Sequence, residues 1–337
     1  MRMLEQTALA MDPARKFAGA PRVAIEPWLK VLVPVGATVA ALLVGLLIIA
    51  TTDSSVSDAM AAFWDGMTGS AYNVGASINR AVSLGFVGLG FIFANRANLT
   101  NVGGEGQIAI GGMIATALAL HGAASLPFGL AFIAPLLAGT LAGALWGGVA
   151  GVLKAARGTN EVISTLLLTF IALPVVYWSV ESVHLLRKPM TEVSSLPESA
   201  EIADPTKLPM LFPADSTSPL HIGLVLFIVA VFVVWIVLTR SAFGLKLRAV
   251  GCSELASRRA GIRTGRLIVA SMAVAGGLGG LAGAIMIQGQ NFYLTNEFSS
   301  GYGFDGLVVG LLARGAALGG VVGALLFGFL RSCSSAR

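Results

Sequence analysis

Charge is what this sequence has least of. Only 12% of its 337 residues are Asp, Glu, Lys or Arg, about half the share of a soluble domain, which excludes an ordinary solvated globule. Cysteine is nearly absent: Cys252 and Cys333 are the whole complement, too few for a disulfide framework. The three histidines, His121, His184 and His221, are scattered, and no Cys, Asp or Glu stands near them at metal-ligand spacing. No GxxxxGK[ST] phosphate loop occurs, and no GxSxG or Ser/His/Asp arrangement, so neither nucleotide hydrolysis nor acyl transfer has its parts here. If ATP energises this chain, another subunit must bind it. A cleavable leader is also missing, because the first apolar run starts near Val31, behind a polar, moderately basic arm.

What the chain has instead is apolar length and glycine. Apolar residues make up 55% and glycine accounts for 42 positions, about 12% against a usual ~7%. Several apolar runs approach or exceed the ~20 residues that cross a hydrocarbon core. The expected fold class is all-α, a polytopic membrane helical bundle of about eight spans. They are read as Val31–Ala50, Ala81–Ala94, Ile108–Leu120, Phe128–Leu153, Val162–Val180, Leu220–Leu238, Leu267–Ile287 and Gly306–Leu330, the last interrupted by Arg314. Val56, Met60, Phe63, Trp64 and Met67 share one helical face, which suits a short helix at the outer interface. Residues 1–30 form a cytoplasmic arm, 31–330 a single transmembrane domain, and 331–337 a tail. Glycines recur every four residues at 139, 143, 147 and 151, at 276 and 280, at 279 and 283, and at 315, 319 and 323. Close helix packing is the plain reading of these ladders; faces that slide during transport are the sharper one.

Orientation comes from the loops. Arg240 to Arg266 holds seven basic residues against one acid, Glu254, whereas loop 181–219 holds six acids against three bases. The Lys/Arg excess keeps 240–266 in the cytoplasm and leaves 181–219 outside. The basic island is patterned: Ser253 to Ala260 suits a short helix, with Gly251 and Gly261 punctuating its flanks. A structured cytoplasmic loop of this kind suggests a docking surface for a soluble partner.

Two polar groups border the spans. NVGGEGQ places Asn101, Glu105 and Gln107 among three glycines. Irregular polar backbone at membrane depth survives only where it is buried in protein or lines water, and an acid there is a functional candidate. The competing reading is a cytoplasmic turn with Glu105 solvated. GTNEVIST sets Asn160, Glu161 and Ser164 at the start of a span, where helix capping accounts for them and a wall or hinge role is the alternative. Arg314 suits a snorkelling cation, an ion-pair partner or a helix break. Intramembrane acids for an ion-driven relay are nearly absent, which disfavours a secondary transporter. The glycine faces alone would permit a membrane scaffold, but the patterned island argues against one.

Motifs in order carry a resemblance. RANLTNVGGEGQIAIGG (Arg96–Gly112), GTNEVISTLLLTFIA (Gly158–Ala172), FGLKLRAVGCSELASRRAGI (Phe243–Ile262) and GYGFDGLVVGLLARG (Gly301–Gly315) resemble the permease subunits of ABC-type importers. The branch is the simple-sugar and nucleoside one, served by basic-membrane-protein-type binding lipoproteins. The resemblance covers roughly residues 30–330. It implies a bacterial inner-membrane permease, not itself an enzyme, paired with itself or a related permease. Two cytoplasmic ATPases carrying ATP and Mg, and an external binding lipoprotein, would complete the assembly. It implies ATPase coupling through Arg248, Gly251, Ser253, Glu254, Ala260 and Gly261. It also implies a pathway or gate near Asn101, Glu105, Gln107, Asn160, Glu161, Ser164 and Thr169. Nucleosides are the expected substrates, with simple sugars second. Thr169 stands where many relatives carry Asn, and relatives generally continue through one or two further apolar helices beyond RSCSSAR, which implies a shortened C-terminus.

Overall fold

The computed structural model describes residues 40, 43–45, 47–49, 51, 55–127, 129–189, 196–212 and 217–334, the last two without their side chains. The expected arm 1–30, most of the first span and residues 335–337 of the tail lie outside these. The chain divides after Ala61 into two compact units. In the first, Thr51 closes a helical turn by donating from Oγ1 to the Ile48 carbonyl at 2.7 Å, and Leu43 and Leu47 are exposed. Helix α1 (Val56–Thr68) covers the stretch read as an interfacial helix.

The second unit is helical, and no strand is assigned among the described residues; isolated bridges alone occur. Its helices are α2 (Ala71–Asn95), α3 (Gly104–His121), α4 (Leu130–Arg157), α5 (Glu161–Glu181), α6 (Gly223–Arg240), α7 (Ala242–Cys252), α8 (Glu254–Arg259), α9 (Thr264–Met286), α10 (Tyr302–Leu312) and α11 (Ala317–Ser334). A π turn, Ile287–Asn291, extends α9. Five of these are long and apolar enough to cross a membrane: Ala71–Asn95, Leu130–Arg157, Glu161–Glu181, Gly223–Arg240 and Thr264–Asn291. The fold is thus the polytopic helical bundle that the sequence predicts.

Two segments differ in detail from the sequence reading. The span expected at 81–94 is a 25-residue helix whose first half is polar. That half stays helical because its polar groups have partners inside the protein. Ser70 caps it from Oγ to the Asn73 N–H (3.1 Å), Asn79 Nδ2 donates to the Pro219 carbonyl (2.7 Å), and Arg80 donates to Ser332 Oγ (2.6 Å). The interrupted segment 306–330 is two helices, α10 and α11, broken at Arg314 and Gly315, both with positive φ (48° and 80°). They form an antiparallel hairpin. Gly323 faces Val309, Gly319 and Gly320 face Ala313, and Arg331 at the far end pairs with Asp305 near the start of α10. With 11 residues, α10 is about 16 Å long, half a hydrocarbon core. Arg314 itself is exposed. Gly315 therefore belongs to the break and not to the ladder.

The other ladders are packing surfaces. A Cβ on Gly143 would lie 2.3 Å from the Gly276 carbonyl, one on Gly280 2.2 Å from the Gly139 carbonyl, and one on Gly283 2.2 Å from the Ile108 carbonyl. Helix α9 thus presses α4 with Gly276 and Gly280, and α3 with Gly279 and Gly283. The backbones are too close for any side chain, which is the reason small residues dominate helix contacts in lipid.

Candidate functional site: a junction of half-helices and a basic loop

The segment joining α2 to α3 organises the site. Helix α2 ends at Asn95, the chain turns through Asn98 in a left-handed conformation (φ 57°), and α3 begins at Gly104 opposite Gly279 of α9. Gly279 lies near the middle of the 28-residue span Thr264–Asn291, so α3 starts at membrane depth. Asn101 and Gln107 form a reciprocal amide pair, Nδ2 to Oε1 at 3.0 Å and Nε2 to Oδ1 at 3.1 Å. Asn101 Oδ1 also accepts the Gly103 N–H at 3.0 Å. The irregular backbone is therefore satisfied from within, as its burial requires.

Glu105 sits where two helices begin. It is in the first turn of α3, and its carboxylate accepts the backbone N–H groups of Gly301 (3.0 Å) and Gly303 (2.6 Å), the entry to α10. It is 4% exposed, so the solvated-turn reading is overturned. The carboxylate thus meets the N-terminal ends of two helices at once, the favourable end of each helix for an acid. Gly303 is obligatory here, since a Cβ would lie 1.9 Å from the Glu105 nitrogen.

Helix α5 completes the wall. Thr165 Oγ1 accepts the Val102 N–H at 3.2 Å, and Thr169 Oγ1 donates to the Thr165 carbonyl at 3.2 Å. A Cβ on Gly106 would meet the Thr169 Cα at 2.8 Å. So Asn101, Glu105, Gln107 and Thr169 converge. Asn160, Glu161 and Ser164 lie at the start of α5, in the turn before Thr165, where the Glu161 carboxylate also meets the Thr100 backbone. Asn160 Oδ1 caps the helix by accepting the Val162 N–H (2.9 Å), Glu161 pairs with Lys154 (2.7 Å), and Ser164 donates to the Asn160 carbonyl (3.0 Å). Asn160 caps the helix, and Glu161 ties its first turn to Lys154 and to the segment that precedes α3.

The basic island folds as α7 and α8. Ser253 Oγ caps α8 through the Ala256 N–H (3.3 Å), Glu254 pairs with Arg258 (2.6 Å), Ala260 ends the helix, and Gly261 follows at φ 79°. Arg248 is exposed. Gly251 does not punctuate α8. It lies within α7, where a Cβ would meet the Arg96 carbonyl at 2.5 Å. The connecting segment 96–107 thus touches the basic loop at one end, and α5 and α10 at the other.

Arg80, together with the Arg331–Asp305 pair beside Tyr302, was missed by the sequence reading. The span was begun at Ala81, where unbroken apolarity starts, so Arg80 fell outside it; an 18-residue helical window that includes its neighbours would have placed it within. Arg331 lies 4.0 Å from the Tyr302 ring centroid. Among the described residues there is no cluster of three or more metal-ligating side chains.

Comparison with known proteins fits this architecture. A family model described as branched-chain amino acid transport system / permease component matches residues 73–336. The chain belongs to this permease family. The guanosine ABC transporter permease of Bacillus subtilis (strain 168) is 34% identical over 89% of this chain and 84% of its own length. A glucose ABC transporter permease of Haloferax volcanii is 31% identical over 92% and 82% respectively. A nucleoside ABC transporter permease of Lactococcus lactis subsp. cremoris is 30% identical over 90% and 83%. No solved structure matches. The permease is a multi-pass membrane protein, and the four motifs of its sequence meet through residues 96–107.

Proposed function

We propose that this permease is the membrane-spanning subunit of an ATP-driven importer of neutral polar solutes, nucleosides foremost. The observation that carries the reading is the physical continuity between the basic loop and the buried junction: Gly251 against Arg96, then Asn101 with Gln107, then Glu105 with α10. Similarity to two permeases whose names specify guanosine or nucleosides supports the substrate class. The glucose permease keeps simple sugars as the second reading.

The loop is built as a docking surface. Leu245 and Leu255 are 70% and 63% exposed among exposed Lys246, Arg248 and Arg259, an apolar contact ringed by charge. The partner is a cytoplasmic ATPase that binds ATP and Mg, one on each of two permease subunits. The N-terminus is cytoplasmic, and an external binding lipoprotein delivers solute. Closure of the ATPases on ATP would draw α7 and α8 together, and segment 96–107 would pass that displacement to α3 and α10. The packed glycine faces give the bundle two discrete arrangements, outward- and inward-open, and the work comes from the different ATP affinity of the two states. Co-purification of the permease with its ATPase, followed by an ATPase assay with and without the binding protein, tests the reading. Stimulated hydrolysis that depends on this chain is expected; ion-gradient uptake by the chain alone would overturn it.

A further inference from the structure

A cavity of about 300 Å³ opens beside the junction, with Glu105, Leu173, Asn296, Glu297, Ser299 and Phe304 on its walls. Leu173 stands one turn beyond Thr169 on α5, so the cavity continues the wall where Asn101, Glu105, Gln107 and Thr169 converge. The opposite wall, residues 296–300, follows closely on Leu294, which loop 181–219 holds by both backbone groups. The Ser199 N–H donates to the Leu294 carbonyl (2.9 Å), and Ser199 Oγ accepts the Leu294 N–H (2.9 Å). The cavity therefore lies between that loop and the junction, at the far end of segment 96–107 from the basic loop. Its size is at the lower end of small-molecule sites and holds a monosaccharide or the sugar half of a nucleoside.

The groups on these walls differ in what they have left to give. Glu105 offers nothing, because its two oxygens are committed to Gly301 and Gly303. Glu297 is exposed, and among the described residues its carboxylate has no ion-pair or hydrogen-bond partner, nor has the side-chain amide of Asn296. Ser299 is 2% exposed, yet among the described residues its hydroxyl makes no hydrogen bond. Buried polar groups are ordinarily satisfied, so an unmated hydroxyl on a cavity wall points to a ligand there. An ionised carboxylate only accepts hydrogen bonds, through two oxygens set side by side. The neutral group that matches it is a pair of adjacent hydroxyls, each donating to one oxygen in a charge-assisted bond. Phe304, 41% exposed, presents an apolar face on which the C–H side of a sugar ring rests. We propose that this cavity is a sugar-recognition subsite, in which Glu297 takes the vicinal diol shared by ribonucleosides and simple sugars and Phe304 supports the ring. This rests on the importer reading above and names the part of the solute that the chain reads, the sugar hydroxyls and not the base.

The test is thiol protection in nanodiscs that hold the permease assembly and its ATPase, with the binding protein left out so that the readout belongs to this chain. Ser300→Cys, on the cavity wall, is introduced with Cys252→Ser and Cys333→Ser, and the rate at which a maleimide modifies this chain is measured. Guanosine, uridine and ribose are expected to slow modification. 2′,3′-Dideoxyguanosine should need about tenfold more for the same protection, the scale of a hydrogen bond to a charged group. Leucine and tetramethylammonium should not protect. Glu297→Gln keeps the shape and loses one acceptor oxygen, so protection by guanosine and ribose should weaken about tenfold and the preference over the dideoxy analogue should vanish. Phe304→Leu should weaken guanosine and ribose alike and leave that preference in place. Equal protection by guanosine and its dideoxy analogue, protection by leucine or tetramethylammonium or by no solute, unchanged protection in either variant, or no modification of Ser300→Cys without solute would each overturn the subsite. The guanosine comparison is made with Glu297 intact, so it decides the matter even where a variant fails to assemble. Failure of the importer reading shows separately, as absence of ATP-dependent uptake of every solute by the complete assembly with its binding protein.

Discussion

Glu105 shows how a single acid is kept at membrane depth. Its two oxygens are committed to Gly301 and Gly303, so its role is to hold α3 and α10 together. Replacing it with Ala leaves one buried and one part-buried N–H without an acceptor, at about 1–3 kcal/mol for the buried one; Gln restores one acceptor oxygen. The expected order of thermal stability in nanodiscs is Glu105, then Glu105→Gln, then Glu105→Ala, with uptake following the same order. Uptake driven by a proton gradient and lost in Glu105→Gln without a stability change would contradict this. His221, which precedes the span Gly223–Arg240, makes a pH-dependent contribution. Burial pushes its pKa down from 6.5 to about 4, and its Nδ1 accepts the Gly223 N–H at 3.1 Å. Between those values the unfolded state binds a proton that the folded state does not. Stability is therefore full above about pH 6.5 and falls as pH drops toward 4, by up to roughly 3 kcal/mol. His221→Asn retains an acceptor and does not titrate, so its melting temperature should fall less between pH 7 and pH 4.5.

At the scale of elements, the long apolar helices were legible because composition alone sets their length, and the island helix because Ser253 and Gly261 stop it on either side. The first half of α2 was not legible, since Asn79 and Arg80 find partners at Pro219 and Ser332, far along the chain. Periodicity sees no such partners. The α10–α11 hairpin was missed as a hairpin because its break at Arg314 and Gly315 looks the same in sequence whether the chain continues across or turns back. Of the residues that converge at the junction, Asn101, Glu105 and Gln107 were singled out through their polarity against apolar surroundings, and Thr169 through the family resemblance. The same polarity singled out Asn160, Glu161 and Ser164, of which Asn160 caps α5 and Glu161 reaches both Lys154 and Thr100. Gly251 was noticed for the wrong helix: what it permits is contact between α7 and the segment after α2. Gly251→Val should force that contact apart, and overpacking against backbone costs about 1–3 kcal/mol locally. ATPase stimulation is expected to fall sharply while the chain still inserts. Retained stimulation together with full uptake would remove the loop from the transmission path. Orientation is checked in the background lacking Cys252 and Cys333: Met210→Cys should label from outside intact cells, and Leu255→Cys only after permeabilisation.

For the whole molecule, the scarcity of charge and the continuity of contacts support the proposed account, in which the chain is a conduit switched by a partner at the basic loop. The glycine faces pack α9 directly against α3 and α4, and segment 96–107 links the basic loop to the half-helices. On the proposed reading energy comes from a partner and the solute is neutral, because a free charge would need a partner along the path. The most direct measurement is uptake into proteoliposomes holding the permease assembly, its ATPase and its binding protein, with guanosine, uridine, ribose and leucine compared at equal concentration. The account expects ATP-dependent accumulation of the nucleosides, abolished when ATP is replaced by a non-hydrolysable analogue. Accumulation of leucine alone, or nucleoside accumulation that persists without ATP, would contradict it.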